Sequence, residues 1–267
     1  SVGDKVTYVV NRNINYTNVC TYKCRFCAFS KQTKKVNSNE RSYDISGEEL
    51  ARRTKEAWQR GATEVCLQGG IHPDYTGQTY IDIISTVREA CPKIHIHAFS
   101  PLEIMHGAKS LHLEIAEFLN MLRDAGLNTL PGTAAEILHE DVRKVLCPDK
   151  LTSSEWLHIM NTAHRVGFRT TATIMFGHVD SSEHWAEHIL AVRDLQADTG
   201  GFTEFVPLPF VPTEAPAFYR GLVRKGPTWR EAILMHAVSR LAFMGLIENI
   251  QVSWVKMGKE GAVECLK

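Results

Sequence analysis

Glu64-Val-Cys-Leu-Gln-Gly-Gly70 is a short strand-forming run that ends on a glycine pair. Just upstream, Ser46-Gly-Glu-Glu49 reads as a capping box, with Ser46 as N-cap and Glu49 reaching back. The helix it opens runs to about Arg60, and Gly61 ends it. Downstream, a helical pattern covers about residues 79–90 and Pro92 stops it. The same alternation recurs along the chain. Strands are expected at 12–19, 94–98, 127–130, 170–176, 202–206 and 250–255. Helices are expected at 111–125, 134–146 and 154–166, then from Asp180 as cap to about 197, and from Pro227 and Thr228 to about 244. A Pro-rich loop fills 207–226. Such strict order predicts an α/β fold with a parallel sheet and outer helices. With right-handed crossovers it becomes a (β/α) TIM-type barrel, complete or partial. Seven units are one short of a closed eight-stranded barrel. An open doubly wound sheet is the alternative.

Composition narrows the function classes. The 267 residues are 44% hydrophobic and 22% charged, which excludes a disordered tail or a collagen. Thirty basic and thirty acidic side chains cancel, so bulk charge gives no reason to expect a nucleic acid or an anionic membrane as partner. No apolar stretch is long enough to span a bilayer, and no signal-peptide pattern opens the sequence. The seven cysteines are odd in number, and three fall within eight residues. That pattern points to a reducing, cytoplasmic-type compartment (an organelle stays open) rather than a secreted disulfide framework.

Cys20-Thr-Tyr-Lys-Cys24-Arg-Phe-Cys27 follows the first strand. In a barrel this is the C-terminal face, where active sites assemble. Three thiolates at this spacing can hold three irons of one 4Fe–4S cubane and leave the fourth iron open. An open metal position marks catalysis rather than structure. The predicted metal ligands are therefore Cys20, Cys24 and Cys27. Structural zinc, with His72 or His97 as fourth ligand, is the rival. Cys66, Cys91, Cys147 and Cys265 have no paired spacing and read as small apolar residues.

Other residues stand out by position. His72, His97 and His178 lie at or just beyond strand C-termini, which makes them catalytic candidates. His95 and His97 share one strand face. Glu204 is a carboxylate within a strand, costly unless paired, and is the fourth candidate. Glu136 opens the helix after the fourth strand, where its charge suits the helix dipole. Thr171 and Thr173 either line the barrel or serve as β-branched filler. Tyr22, Phe26 and Phe29 frame the cysteine loop. So do the basic residues Lys23, Arg25, Lys31, Lys34, Lys35 and Arg41, a surface suited to an acidic electron donor such as a flavodoxin or ferredoxin.

The C-x3-C-x2-C motif, with an aromatic before its third cysteine, resembles the signature of radical S-adenosylmethionine (SAM) enzymes. In that family SAM chelates the open iron, and its reductive cleavage gives a 5′-deoxyadenosyl radical. Asn13-Ile-Asn-Tyr-Thr-Asn-Val-Cys20 resembles the subgroup holding menaquinone-pathway enzymes and FO synthases. Gln68-Gly-Gly-Ile-His-Pro73, His95-Ile-His-Ala-Phe-Ser-Pro101, Leu130-Pro-Gly-Thr-Ala-Ala-Glu136 and Gly201-Phe-Thr-Glu-Phe-Val-Pro-Leu-Pro209 are similar to the 4-hydroxyphenyl transferase half of FO synthase. The resemblance implies SAM as cofactor, held by Gln68, Gly69, Gly70 and Glu136, with Tyr22 and Phe26 walling the site and stacking on adenine. It implies L-tyrosine and 5-amino-6-(D-ribitylamino)uracil as substrates. The hydroxybenzyl group would join carbon 5 of the uracil, leaving 2-iminoacetate, and an FO synthase partner subunit or domain would close the deazaflavin ring. It also implies that residues 1–267 form a single barrel domain without the family's N-terminal helical segment and last strand. A menaquinone-pathway enzyme and a non-catalytic metal module remain alternatives.

Overall fold

The computed structural model describes residues 5–31, 42–213 and 215–267. It divides into two compact units. One consists of Thr7–Lys23 and Phe29–Pro131; the other is built mainly from Cys24–Ala28 and Gly132–Lys267.

The first unit carries strands β1 (Asn11–Asn15), β2 (Glu64–Gln68), β3 (His95–Ala98) and β4 (Thr129–Leu130). They pair in parallel in chain order, with Asn15 beside Gln68, Leu67 beside Ala98 and His97 beside Thr129. Helices α1 (Gly47–Gln59), α2 (Gly77–Ala90), α3 (Pro101–Ser110) and α4 (Ile115–Ala125) alternate with them. Val65, Leu67, Ile96 and Ala98 are buried together with Leu50, Tyr80, Ile84 and Leu122 of the helices. The alternation of apolar strand and amphipathic helix thus builds one core.

Two details differ from the sequence reading. Ser46 caps α1 by accepting the Glu49 N–H at 3.3 Å, but Glu49 does not reach back. Its carboxylate is taken by the guanidinium groups of Arg52 and Arg53, each at 2.7 Å. The helix expected at 111–125 starts later, at Ile115, and a separate α3 precedes it. Ser100 and Glu103 form the capping box of α3, with Pro101 in its first turn.

The second unit carries β5 (Arg169–Phe176), β6 (Phe202–Pro209) and β7 (Asn249–Ile250), again parallel in chain order. Its helices are α5 (Glu140–Leu146), α6 (Ser153–Arg165), α7 (Ser182–Thr199), α8 (Pro216–Tyr219), α9 (Trp229–Ala242) and α10 (Trp254–Leu266), the last kinked at Gly258. Strand β6 runs on through Pro207 and Pro209, where a loop was expected. Phe205 directs its carbonyl at the Gln251 N–H on the β7 side, so residues 207 and 209 face that side too. β7 reaches only Glu204 and Phe205, and the missing proline N–H groups interrupt no ladder. The strand expected at 250–255 is correspondingly short, and Val255 belongs to α10. Ser181 rather than Asp180 is the N-cap of α7; Asp180 instead accepts the Gly177 and His178 N–H groups.

Residues 134–139 are not helical. Ala134 and Glu136 adopt left-handed backbone at φ 66° and 45°. The buried Arg143 guanidinium bonds the carbonyls of Ala135 at 2.5 Å and Leu151 at 2.5 and 3.1 Å, which fixes this stretch as a loop. Among the described residues, no helix is long and apolar enough to cross a membrane.

Candidate functional site

In the first unit, residues 16–21 run beside the glycine turn at the end of β2. Gly70 N–H bonds Thr17 O at 2.9 Å, and Thr21 N–H bonds Ile71 O at 2.9 Å. The Cys20 sulfur accepts the Ile71 N–H at 3.3 Å. A Cβ on Gly69 would collide with the Tyr16 ring, and one on Gly70 with the Val19 carbonyl and, at 2.9 Å, with Cys20 Cβ. Both glycines are therefore required by close approach. Gly70 and Ile71 are thereby brought to Cys20, while Gly69 faces the Tyr16 ring and the Gln68 amide donates to the Cys66 sulfur at 3.5 Å.

Sequence reasoning missed what lies beneath this turn. The Glu103 carboxylate, 2% exposed, accepts the Tyr16 hydroxyl, the Ser100 N–H at 2.7 Å and the Ser100 hydroxyl at 2.6 Å. A Gly69 backbone hydrogen bond reaches it as well. Burial raises its pKa, opposed by these donors. The available signal was the pattern Ser100-Pro-Leu-Glu103, which reads locally as a helix cap.

His72 accepts the Asp74 N–H through Nδ1 at 3.1 Å, and its ring stacks on Tyr75 at 4.9 Å. His95 and His97 share a face as expected: Nε2 of the first and Nδ1 of the second each lie 2.7 Å from the Thr129 hydroxyl. Burial lowers the His97 pKa to about 4, so the ring is neutral at neutral pH. Tyr22 is half-buried.

The second unit holds Cys24, Phe26 and Cys27. Their loop is clipped through its backbone, with Arg25 N–H on Leu146 O at 2.8 Å and Ala217 N–H on Arg25 O at 2.7 Å. Burial pushes the Cys24 thiol well above the usual thiol range, so a thiolate there calls for a cation. Glu136 does not open a helix, contrary to expectation. It forms a 2.5 Å ion pair with Lys150, a residue that sequence reasoning did not single out. Burial alone would raise the Glu136 pKa, but Lys150 holds it below the ordinary carboxylate range. The Lys150 ammonium sits 5.6 Å from the centroid of the Phe26 ring.

His178 has a fully buried side chain engaged within its own loop. Nδ1 accepts the Val179 N–H at 2.8 Å, and Nε2 lies 2.8 Å from Met175 O. Glu204 is half-buried at the third position of β6, near the N-terminal end of that strand and away from the end where barrel enzymes place catalytic groups. Thr171 and Thr173 both bind Gly132. The first accepts the Gly132 N–H at 2.9 Å, and the second donates to the Gly132 carbonyl at 2.7 Å.

All seven cysteines are free thiols. Cys66, Cys91, Cys147 and Cys265 are buried, as expected of small apolar residues, whereas Cys20, Cys24 and Cys27 are partly exposed. Among the described residues, no three His, Cys, Asp or Glu side chains gather around a single ion. In a cubane each cysteine thiolate binds a different iron, so no such convergence is needed. Three soft, accessible donors, one already bonded by a backbone N–H, fit an iron–sulfur cluster. Lys34, Lys35 and Arg41 of the basic set lie outside the described residues.

These features define a class, and the sequence matches the Radical SAM superfamily over residues 14–192. Methylornithine synthase, a solved structure, superposes with a TM-score of 0.73 over 97% of this chain and 68% of its own, at 17% identity. That likeness bears out the α/β barrel class read from the alternation. The chain is 49% identical over 257 residues to the 5-amino-6-(D-ribitylamino)uracil–L-tyrosine 4-hydroxyphenyl transferase of Methanopyrus kandleri, covering 96% of this chain and 69% of that protein. It is also 49% identical over 267 residues to FO synthase of Streptomyces avermitilis. All of this chain, but only 30% of that synthase, is covered. The chain belongs to the 4-hydroxyphenyl transferase family of radical SAM proteins.

Proposed function

We propose that the chain joins the 4-hydroxybenzyl group of L-tyrosine to 5-amino-6-(D-ribitylamino)uracil in FO biosynthesis. The observation that carries this reading is the placement of Cys20 against the Gln68–Gly70 turn, in a chain similar along its whole length to such transferases. Cys20, Cys24 and Cys27 would hold a 4Fe–4S cluster. That cluster with bound SAM supplies a strong one-electron reductant and a source of a carbon radical. The chain's own residues do the rest. Gly69 and Gly70 bring bare backbone to the ligand. Tyr22 and Phe26 shield the reacting atoms from water. Glu136, fixed by Lys150, keeps its charge when buried. A reducing compartment keeps the thiols available.

The test is an anaerobic incubation of reconstituted protein with SAM, dithionite, tyrosine and the diaminouracil, analysed by mass spectrometry. A hydroxybenzyl–uracil adduct that requires both substrates is expected. 5′-Deoxyadenosine without that adduct would overturn the substrate assignment and leave the radical chemistry standing.

Lys23, Arg25 and Lys31 would dock an acidic flavodoxin or ferredoxin as electron donor. Reduction by such a donor should slow steeply between low and physiological salt. A rate that ignores salt would refute the docking surface. The partner subunit or domain of FO synthase would take the adduct onward.

A further inference from the structure

The ion pair of Lys150 with Glu136 is a costly object. Its side chains are only 8% and 12% exposed, and a buried pair is often no more stabilising than two apolar residues of similar size. Its placement gives it a use. The ammonium lies 5.6 Å from the ring centroid of Phe26, the residue immediately before Cys27 and two after Cys24. Both ends are held on fixed backbone. Glu136 sits in a left-handed conformation at φ 45°, beside carbonyls tied by Arg143, and Leu151, next to Lys150, is tied by the same guanidinium. The loop of Phe26 is clipped at Arg25 by Leu146 and Ala217. A fixed charge therefore stands at a fixed distance from the cysteine loop.

We propose that Lys150 is a positioning residue that sets the reduction potential of the cluster held by Cys24 and Cys27. This rests on the reading that those cysteines bind a 4Fe–4S cluster. One electron from an external donor takes the cluster core from 2+ to 1+ and adds one negative charge to the site. A buried cation nearby stabilises that added charge and is poorly screened by salt. Glu136 acts in the opposite sense, so the two side chains make opposite predictions. A purely structural role would not give that sign reversal.

The experiment is a potentiometric titration of the reconstituted full chain followed by electron paramagnetic resonance, after iron and sulfide analysis. In Lys150→Met the reduced-to-oxidised ratio at fixed potential should fall about tenfold, a downward shift of about 59 mV for a one-electron couple. Glu136→Gln should shift the potential upward, and Lys150→Arg should restore the original value. Unchanged potentials in cluster-loaded variants, or shifts of the same sign in both, would overturn the inference. If Lys150→Met takes up no cluster, Glu136→Gln decides: an upward shift supports the inference, and no shift or a downward one overturns it. A native chain that binds no cluster overturns the cluster reading itself. A loaded cluster with an unmoved potential overturns only the role of Lys150.

Discussion

Cys24→Ala protein, reconstituted without oxygen, is expected to lose the 4Fe–4S signal and to release no 5′-deoxyadenosine. Each of the three cysteine-bound irons needs its own thiolate, and a methyl group cannot replace one. Cys24 lies in a loop pinned at Arg25, which holds its position in the ligand set. The comparison that gives the result meaning is Cys91→Ala. Cys91 is a buried thiol at the C-terminal cap of α2, and its loss should leave iron content and turnover intact. Iron and sulfide analysis with electron paramagnetic resonance reads the first effect, and chromatography of the nucleoside product reads the second. Full SAM cleavage by the Cys24 variant would refute the cluster assignment.

Gly70→Ala carries the second large effect, and its cause is steric rather than chemical. The added methyl would drive into the Val19 carbonyl and lie 2.9 Å from Cys20 Cβ. One of those is backbone and cannot step aside as a flexible side chain would. Overpacking of this kind costs about 1–3 kcal/mol. The larger consequence is geometric, because the turn carrying Gly69 would part from the residues that place the Cys20 sulfur. A displacement near 1 Å at a reacting site costs on the order of 100-fold in rate. SAM cleavage should fall by that order while the folded protein persists. Gly47→Ala is the control: its new methyl would meet Thr86 no closer than 3.8 Å, in ordinary contact. Equal rates for the two variants would show that the turn tolerates displacement.

Much of this was legible in the sequence because the signals were local. Strand β5 is a β-branched run, α6 and α9 open on capping boxes, and Gly126 ends α4 in left-handed backbone. The cysteine motif needed only its spacing. The misreadings share another cause. Residues 134–139 have helical apolar spacing, but the Arg143 guanidinium offers their carbonyls a better partner from the next turn of chain. Val255 sits in a β-branched stretch, yet β7 ends at Ile250 and the chain turns into α10. Lys150 was invisible because its meaning comes from Glu136, fourteen residues away across a loop and a helix, and from Phe26, far away in sequence. His178 was singled out by its position at a strand end, and its bonds to Met175 and Val179 within its own loop were not legible there. For Arg143 and Lys150 the deciding partners lie beyond the local window that a sequence pattern reads.

Glu103 draws three distant stretches of the first unit to one carboxylate: Tyr16 after β1, Gly69 after β2 and Ser100 after β3. None can leave singly without stranding a buried acid that has lost a donor. Local breathing of the glycine turn is therefore tied to breathing of the other two. The Gly69 and Ser100 amides should open as one event, with one shared free energy, rather than fray in turn. Hydrogen exchange at these two amides should therefore report a single shared opening, which would couple the turn after β2 to the cap of α3.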